Sequence, residues 1–259
     1  MISQFRAIIR LIFFAIGSLF YISRYLVKAI FVGNDLNRAL RLLSQWTRIL
    51  AKGLGLRIEV LGAIPKQAGL LVCNHRSYTD PFLLFGSVPS VPVGKAAVAK
   101  WPIIGLAGKL AGAVFIDRAS SESRKASRKA IANRLQNGFF VINYAEGTTH
   151  INPQTTDFKP GLFKEAAIAQ FPVYPVALEY SLQSDAWVDD DVFIRHFLSC
   201  FGKKYTYARI RIGPTLKNHN AEILLQSTKD WIDQNLWELR KGWYSDDLKE
   251  EEINKLKTP

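Results

Sequence analysis

Val72-Cys73-Asn74-His75-Arg76-Ser77-Tyr78-Thr79-Asp80-Pro81-Phe82 is the stretch from which the architecture of this chain is read. Leu70-Leu71-Val72-Cys73 has the apolar continuity of a short buried strand. Asp80-Pro81 reads as a helix N-cap followed by proline in the first helical position, where the missing N–H is not needed. The loop between them holds a histidine and an aspartate five residues apart. On a continuous helix such a pair would sit about 140° apart at ~100° per residue and would not meet. A loop running from a strand end into a helix can fold them together. An imidazole whose far nitrogen is held by a carboxylate is a general base with its tautomer fixed. Each residue alone has a plainer reading, Asp80 as a cap and His75 as a hydrogen-bonded loop residue.

Outward from this loop, strands and helices alternate. Strands are expected at Arg57–Leu61, Leu70–Cys73, Val91–Gly94, Ala113–Ile116, Phe139–Tyr144, Val173–Leu178 and Tyr207–Ile212. Helices are expected at Pro81–Phe85, Pro102–Leu110, Ser121–Asn137 before the stop at Gly138, Leu162–Gln170, and Ala221–Leu236 after an Asn220 cap. The pattern predicts an α/β layered domain over residues 57–245, with a largely buried sheet flanked by helices. Residues 246–259 form a charged tail without a catalytic role.

Charge points to an acidic partner. The 259 residues carry a net charge of +12, which suits nucleic acid, an anionic membrane surface or an acidic protein. Eight of those charges lie in the first 57 residues, where nine Lys and Arg face Asp35 alone. Within that arm Leu11–Ser23 is uncharged and apolar, though shorter than the ~20 residues of a comfortable span. It can cross with Arg10 and Arg24 snorkelling from its ends, or lie shallow in one leaflet. No small-residue cleavage site follows it, which argues against a signal peptide. On a helical wheel Leu40, Leu43, Leu50 and Leu54 fall within about 40° of Leu36, and Arg38, Arg41, Arg48 and Lys52 fall opposite. This segment is expected to lie on anionic lipid with its leucines buried there, making residues 1–56 a membrane-associating helical region. The basic load after the apolar run places the following domain on the cytoplasmic side. Cys73 and Cys200 form neither a disulfide framework nor a metal spacing, in keeping with a reducing compartment.

Further blocks follow in order. Trp101-Pro102-Ile103-Ile104-Gly105 precedes Gly112-Ala113-Val114-Phe115-Ile116-Asp117-Arg118, then come Asn143-Tyr144-Ala145-Glu146-Gly147-Thr148-Thr149 and Phe171-Pro172-Val173-Tyr174-Pro175-Val176-Ala177-Leu178. With the His75–Asp80 loop, these blocks resemble the motifs of the glycerolipid acyltransferases, the 1-acyl-sn-glycerol-3-phosphate (lysophosphatidic acid) acyltransferase family, over roughly residues 58–212. The resemblance implies His75 and Asp80 as the catalytic pair. It also implies contacts with the acceptor at Glu146, Gly147, Thr148 and Thr149, with Arg118 and Lys159 as cations beside it. It implies phosphatidic acid synthesis from a lysophospholipid acceptor and an acyl thioester donor, acyl-CoA or acyl carrier protein, with no metal or other cofactor.

No Gly-x-Ser-x-Gly elbow, phosphate loop or His-Glu-x-x-His site is present. In the expected chemistry the acceptor hydroxyl therefore takes the part that a catalytic serine would play. Backbone amides near His75 or Gly147 are the expected oxyanion donors. One departure stands out: the family usually has arginine, linked to the acceptor phosphate, where this chain has Thr149. Threonine brings one hydrogen bond but no charge. Arg118 and Lys159 are the expected replacements, with Lys100 and Arg76 behind them. Alternatively the acceptor is another lysophospholipid or a lyso-aminolipid. A reading of another class is a non-catalytic basic protein on membranes or nucleic acid, but leucines opposite the charges do not suit a nucleic-acid groove, and no nucleic-acid partner is expected.

Overall fold

The computed structural model of the protein describes residues 2–188 and 192–243, so the charged tail expected at 246–259 lies outside the described residues. All seven expected strands form: β1 (Leu56–Leu61), β2 (Leu70–Cys73), β3 (Ser90–Lys95), β4 (Val114–Ile116), β5 (Phe140–Tyr144), β6 (Val173–Tyr180) and β7 (Thr206–Ile212). They build one mixed sheet in the order β1-β7-β6-β2-β5-β3-β4, in which β6 and β7 are the antiparallel pair. The helices are α1 (Ile2–Val32), α2 (Leu36–Leu54), α3 (Asp80–Phe85), α4 (Ile104–Leu110), α5 (Ser121–Gln136), α6 (Gly161–Ala169), α7 (Phe193–Gly202) and α8 (Ala221–Arg240).

β2 sits between β5 and β6, parallel to both, and every one of its residues is buried. Its alternation divides the core. Leu71 and Cys73 face one layer with α2, α3 and α7, while Leu70 and Val72 face the other with α5, α6 and α8. In register, Cys73 stands opposite Tyr144. The loops that leave β2 and β5 therefore emerge side by side at the carboxyl edge of the sheet, where α/β folds place their ligands.

Four expectations need correction. Asp80 does not cap its helix; Thr79 takes the N-cap position, and the Asp80 carboxylate turns back onto its own loop. The helix expected from Pro102 begins at Ile104, because Ile104 N–H bonds the Pro102 carbonyl at 2.6 Å in a three-residue turn that puts Ile103 at φ 64°. Helix α7 was not expected, although Phe193, Phe197, Cys200 and Phe201 carry its i, i+4, i+7, i+8 stripe.

The fourth correction concerns α2. Its leucines were expected in lipid, yet Leu40, Leu50 and Leu54 are buried in the protein core. Trp46 on the same helix stacks on Tyr21 of α1 and donates from its indole nitrogen to Ser18 at 3.0 Å. Gly17 of α1 is required there, since a Cβ would collide with the Trp46 ring.

Helix α1 is 31 residues long and apolar enough to cross a membrane by length and composition. One stripe of it, including Ala7, Ser18, Ile22 and Tyr25, is buried against the domain. Phe5, Ile9, Ile12, Ile16 and Phe20 remain exposed. Arg10 donates to the carbonyls of Phe201, Lys203 and Lys204, and Arg6 to that of Gly202. Both thereby satisfy orphan carbonyls at the end of α7.

Candidate active site

The loop after β2 is held in shape by one buried carboxylate. Asp80 is fully buried, and its Oδ2 accepts from the backbone N–H of Arg76 at 2.7 Å and of Ser77 at 2.9 Å. The same oxygen lies 2.8 Å from His75 Nδ1. Oδ1 accepts from the Tyr180 hydroxyl, also at 2.8 Å. Burial, and then the Asp80 charge, push the Tyr180 hydroxyl well above its ordinary pKa, so it remains a donor. With Nδ1–H donating to Asp80, His75 keeps Nε2 as its proton-accepting nitrogen. The imidazole, 21% exposed, is stacked on the Tyr144 ring with centroids 4.2 Å apart.

A second carboxylate ties the neighbouring loop to this one. Glu146 Oε1 accepts from the His75 backbone N–H at 2.9 Å. Its Oε2 accepts from Thr156 N–H and Oγ1 and pairs with His150 Nε2. Burial alone would raise the Glu146 pKa; hydrogen bonds from His150, Thr156 and His75 outweigh it and hold the carboxyl below its ordinary value. Arg76 completes the frame. Its guanidinium bonds the His150 carbonyl at 2.9 Å and Glu179 at 3.2 Å, and Glu179 also pairs with Arg240 of α8.

His75 opens onto a cavity of about 910 Å³. Of the residues singled out in the sequence, His75, Arg118, Gly147, Thr148, Thr149 and Lys159 share its wall. Asp80 and Glu146 stand behind that wall, with their carboxylate oxygens engaged by the protein. Arg76 is buried and paired, and Lys100 is not part of the lining. Arg118 bonds the Gly147 carbonyl, bringing the loops after β4 and β5 together. Away from His75 the cavity is apolar and runs between α1, α2 and α4, past Ile22, Leu43, Phe85, Val98 and Leu110.

The expected oxyanion donors are largely taken. The N–H groups of His75, Arg76, Ser77 and Gly147 all bond within the protein. Among the described residues, no group of three His, Cys, Asp or Glu side chains comes together as a metal site. Glu179, His150, Thr156 and Tyr180 were not anticipated. Glu179 alone carried a signal, as an acid inside a strand that is otherwise apolar or aromatic.

A histidine–aspartate pair thus stands at the carboxyl edge of a mixed sheet beside an apolar cavity. Residues 56–179, just under half of the chain, match the family described as Acyltransferase. The chain is 34% identical to lyso-ornithine lipid O-acyltransferase of Pseudomonas aeruginosa over 60% of its length and 62% of that protein's. It is also 34% identical to 1-acyl-sn-glycerol-3-phosphate acyltransferase of Neisseria gonorrhoeae, over 43% of its length and 44% of that protein's. Both alignments span less than two thirds of the relative. The crystal structure of the 1-acyl-sn-glycerophosphate acyltransferase PlsC from Thermotoga maritima superposes with a TM-score of 0.71, covering 95% of this chain and 100% of that one at 19% identity. At that identity the likeness speaks for the fold.

Proposed function

We propose that the protein transfers a fatty acyl group from an acyl thioester, acyl-CoA or acyl carrier protein, to the free hydroxyl of a lysolipid. The first-choice acceptor is 1-acyl-glycerol-3-phosphate, with phosphatidic acid as the product. The observation that carries this reading is the 2.8 Å contact between His75 Nδ1 and Asp80 on a ring open to the cavity. His75 Nε2 takes the hydroxyl proton as the oxygen attacks the thioester carbonyl. The C–S bond then breaks, and the leaving sulfur takes the proton back from the imidazolium, giving ester and free thiol. Asp80 holds the ring and stabilises its cation. The N–H groups of Thr148 and Thr149, which bond no acceptor among the described residues and border the cavity, are the donors left for the oxyanion. No cofactor is needed.

The outward apolar face of α1 supports a membrane surface as the third partner. Because Arg6 and Arg10 fasten α1 to α7, the helix is read as lying in one leaflet rather than crossing it, with the domain on the cytoplasmic side. The acyl end of the cavity then opens toward the lipid from which the acceptor comes.

A second reading has its own support. Thr149 stands where the family usually has arginine, and a relative acts, by its name, on a lyso-ornithine lipid. Purified protein in detergent, given a thioester donor and a panel of lysolipids, separates the two by which acceptor triggers thiol release. His75→Ala and Asp80→Asn are expected to abolish turnover without unfolding the chain. Wild-type-like rates in either variant would end the mechanism, and no thiol release with any acceptor would return the protein to a non-catalytic role.

A further inference from the structure

Helix α5 carries basic residues on two faces, and the cavity takes one of them. Arg124 and Arg128, one turn apart, border the cavity, whereas Lys125 and Lys129, each one position further along, do not. The same lining includes Thr149, Lys159 and Gly161. Thr149 offers a hydroxyl without charge, so an anion held there draws its countercharge from other elements. Lys95, Arg118, Arg124, Arg128 and Lys159 all border the cavity, and no Asp or Glu among the described residues does. Burial lowers the Arg118 pKa from its ordinary value.

The two arginines of α5 are held differently. Arg124 donates to the Arg118 carbonyl at 2.5 Å and ties the start of the helix to the Arg118 loop. Arg128 packs across Gly161, where a Cβ would stand 3.3 Å from its Cδ. Its ion pair with Glu165 is long, 3.4 Å, between side chains 36% and 38% exposed. A pair so solvated contributes little, which leaves the guanidinium able to exchange that carboxylate for another anion. Its planar fork matches phosphate oxygens two at a time.

We propose that Arg128, with Arg124 beside it, is the headgroup-binding cation of this chain and grips a phosphomonoester against the wall on which Thr149 stands. This rests on the acyl-transfer reading above and specifies the acceptor class. A dianionic phosphate is matched by the lining, whereas the ammonium of an amino-acid headgroup would meet cations and no carboxylate.

The test is steady-state kinetics of the full chain in detergent, with lysophosphatidic acid varied against acyl-CoA. Arg128→Ala is expected to raise the acceptor KM about tenfold to a hundredfold, the range of a lost charge-assisted hydrogen bond, with donor KM and melting temperature unchanged. Lys129→Ala removes the same charge from the same helix away from the cavity and should leave the acceptor KM in place. Thr149→Arg introduced into the Arg128→Ala variant should restore it.

An unchanged acceptor KM in Arg128→Ala, and again when combined with Arg124→Ala, overturns the assignment while acyl transfer stands. An equal rise in Lys129→Ala also overturns it, by assigning the effect to long-range charge. Thiol release from wild-type protein with a lyso-ornithine lipid but not with lysophosphatidic acid leaves the acyl transfer and removes the phosphate cradle. Release with no acceptor removes both.

Discussion

Helices α1 and α2 lie side by side, are both rich in apolar and basic residues, and place their apolar surface in opposite ways. On α2 the leucines form one sharp stripe, and the protein core covers it through Leu40, Leu50 and Leu54. On α1 apolar residues run nearly all round, so the domain covers one stripe and leaves Phe5, Ile9, Ile12 and Ile16 outside. A sharp amphipathic stripe announces one apolar neighbour without saying which. A helix apolar on both faces announces two, and here the second neighbour is the lipid proposed above.

Changing single residues can break this contrast. The largest effect is expected from Leu50→Ala, which empties a fully buried site on α2 and should cost about 2–5 kcal/mol. Urea unfolding in detergent measures it, and a loss near zero would return the α2 stripe to lipid. Next, Ile12→Ser with Ile16→Ser on α1 should weaken binding to anionic vesicles by at least about tenfold, since full burial of each side chain contributes about 1.5–3 kcal/mol. Stability in detergent should stay unchanged, and a matching fall in stability would mean that this face packs on protein. Arg10→Ala should cost about 1.5 kcal/mol by stripping three carbonyls of a charged donor. It should also raise protease cleavage within α1 ahead of α2, and equal cleavage of both would dissolve the distinction.

Acid is the mildest probe. Because the folded Glu146 pKa is depressed, its contribution is present above the unfolded value of about 4.3 and is lost as pH falls through the folded one. Hydrogen exchange in that window should show α2 loosening together with the Glu146 loop. Glu146→Gln should flatten this dependence, and unaltered acid behaviour in that variant would separate the loop from the core that α2 shares.

Much of the framework was legible because it is local. Seven strands followed from short apolar runs bounded by turns, and the His75–Asp80 loop from a strand, a spacing and a proline. What stayed hidden depends on contacts distant in sequence. The leucine stripe of α2 looks the same whether lipid or β-sheet lies opposite. Glu146 looked like a substrate contact, and only the positions of Thr156 and His150 show its oxygens engaged. Asp80 looked like a cap because Pro81 follows it, whereas the backbone N–H groups it accepts from belong to the preceding loop rather than its own helix. Nothing near Arg76 indicates that its partner is Glu179, about a hundred residues later. The Arg124–Arg128 face needed the cavity to separate it from Lys125 and Lys129.

The Arg76–Glu179–Arg240 cluster bears on when the protein becomes competent during its own synthesis. The residue that shares Glu179 with the His75 loop is among the last of the described chain to leave the ribosome. A nascent chain with strands β1 to β7 already paired but α8 still in the exit tunnel holds a buried Glu179 with only half of its cationic company. Full bracing of the His75 loop through Arg76 is thereby deferred until α8 has docked.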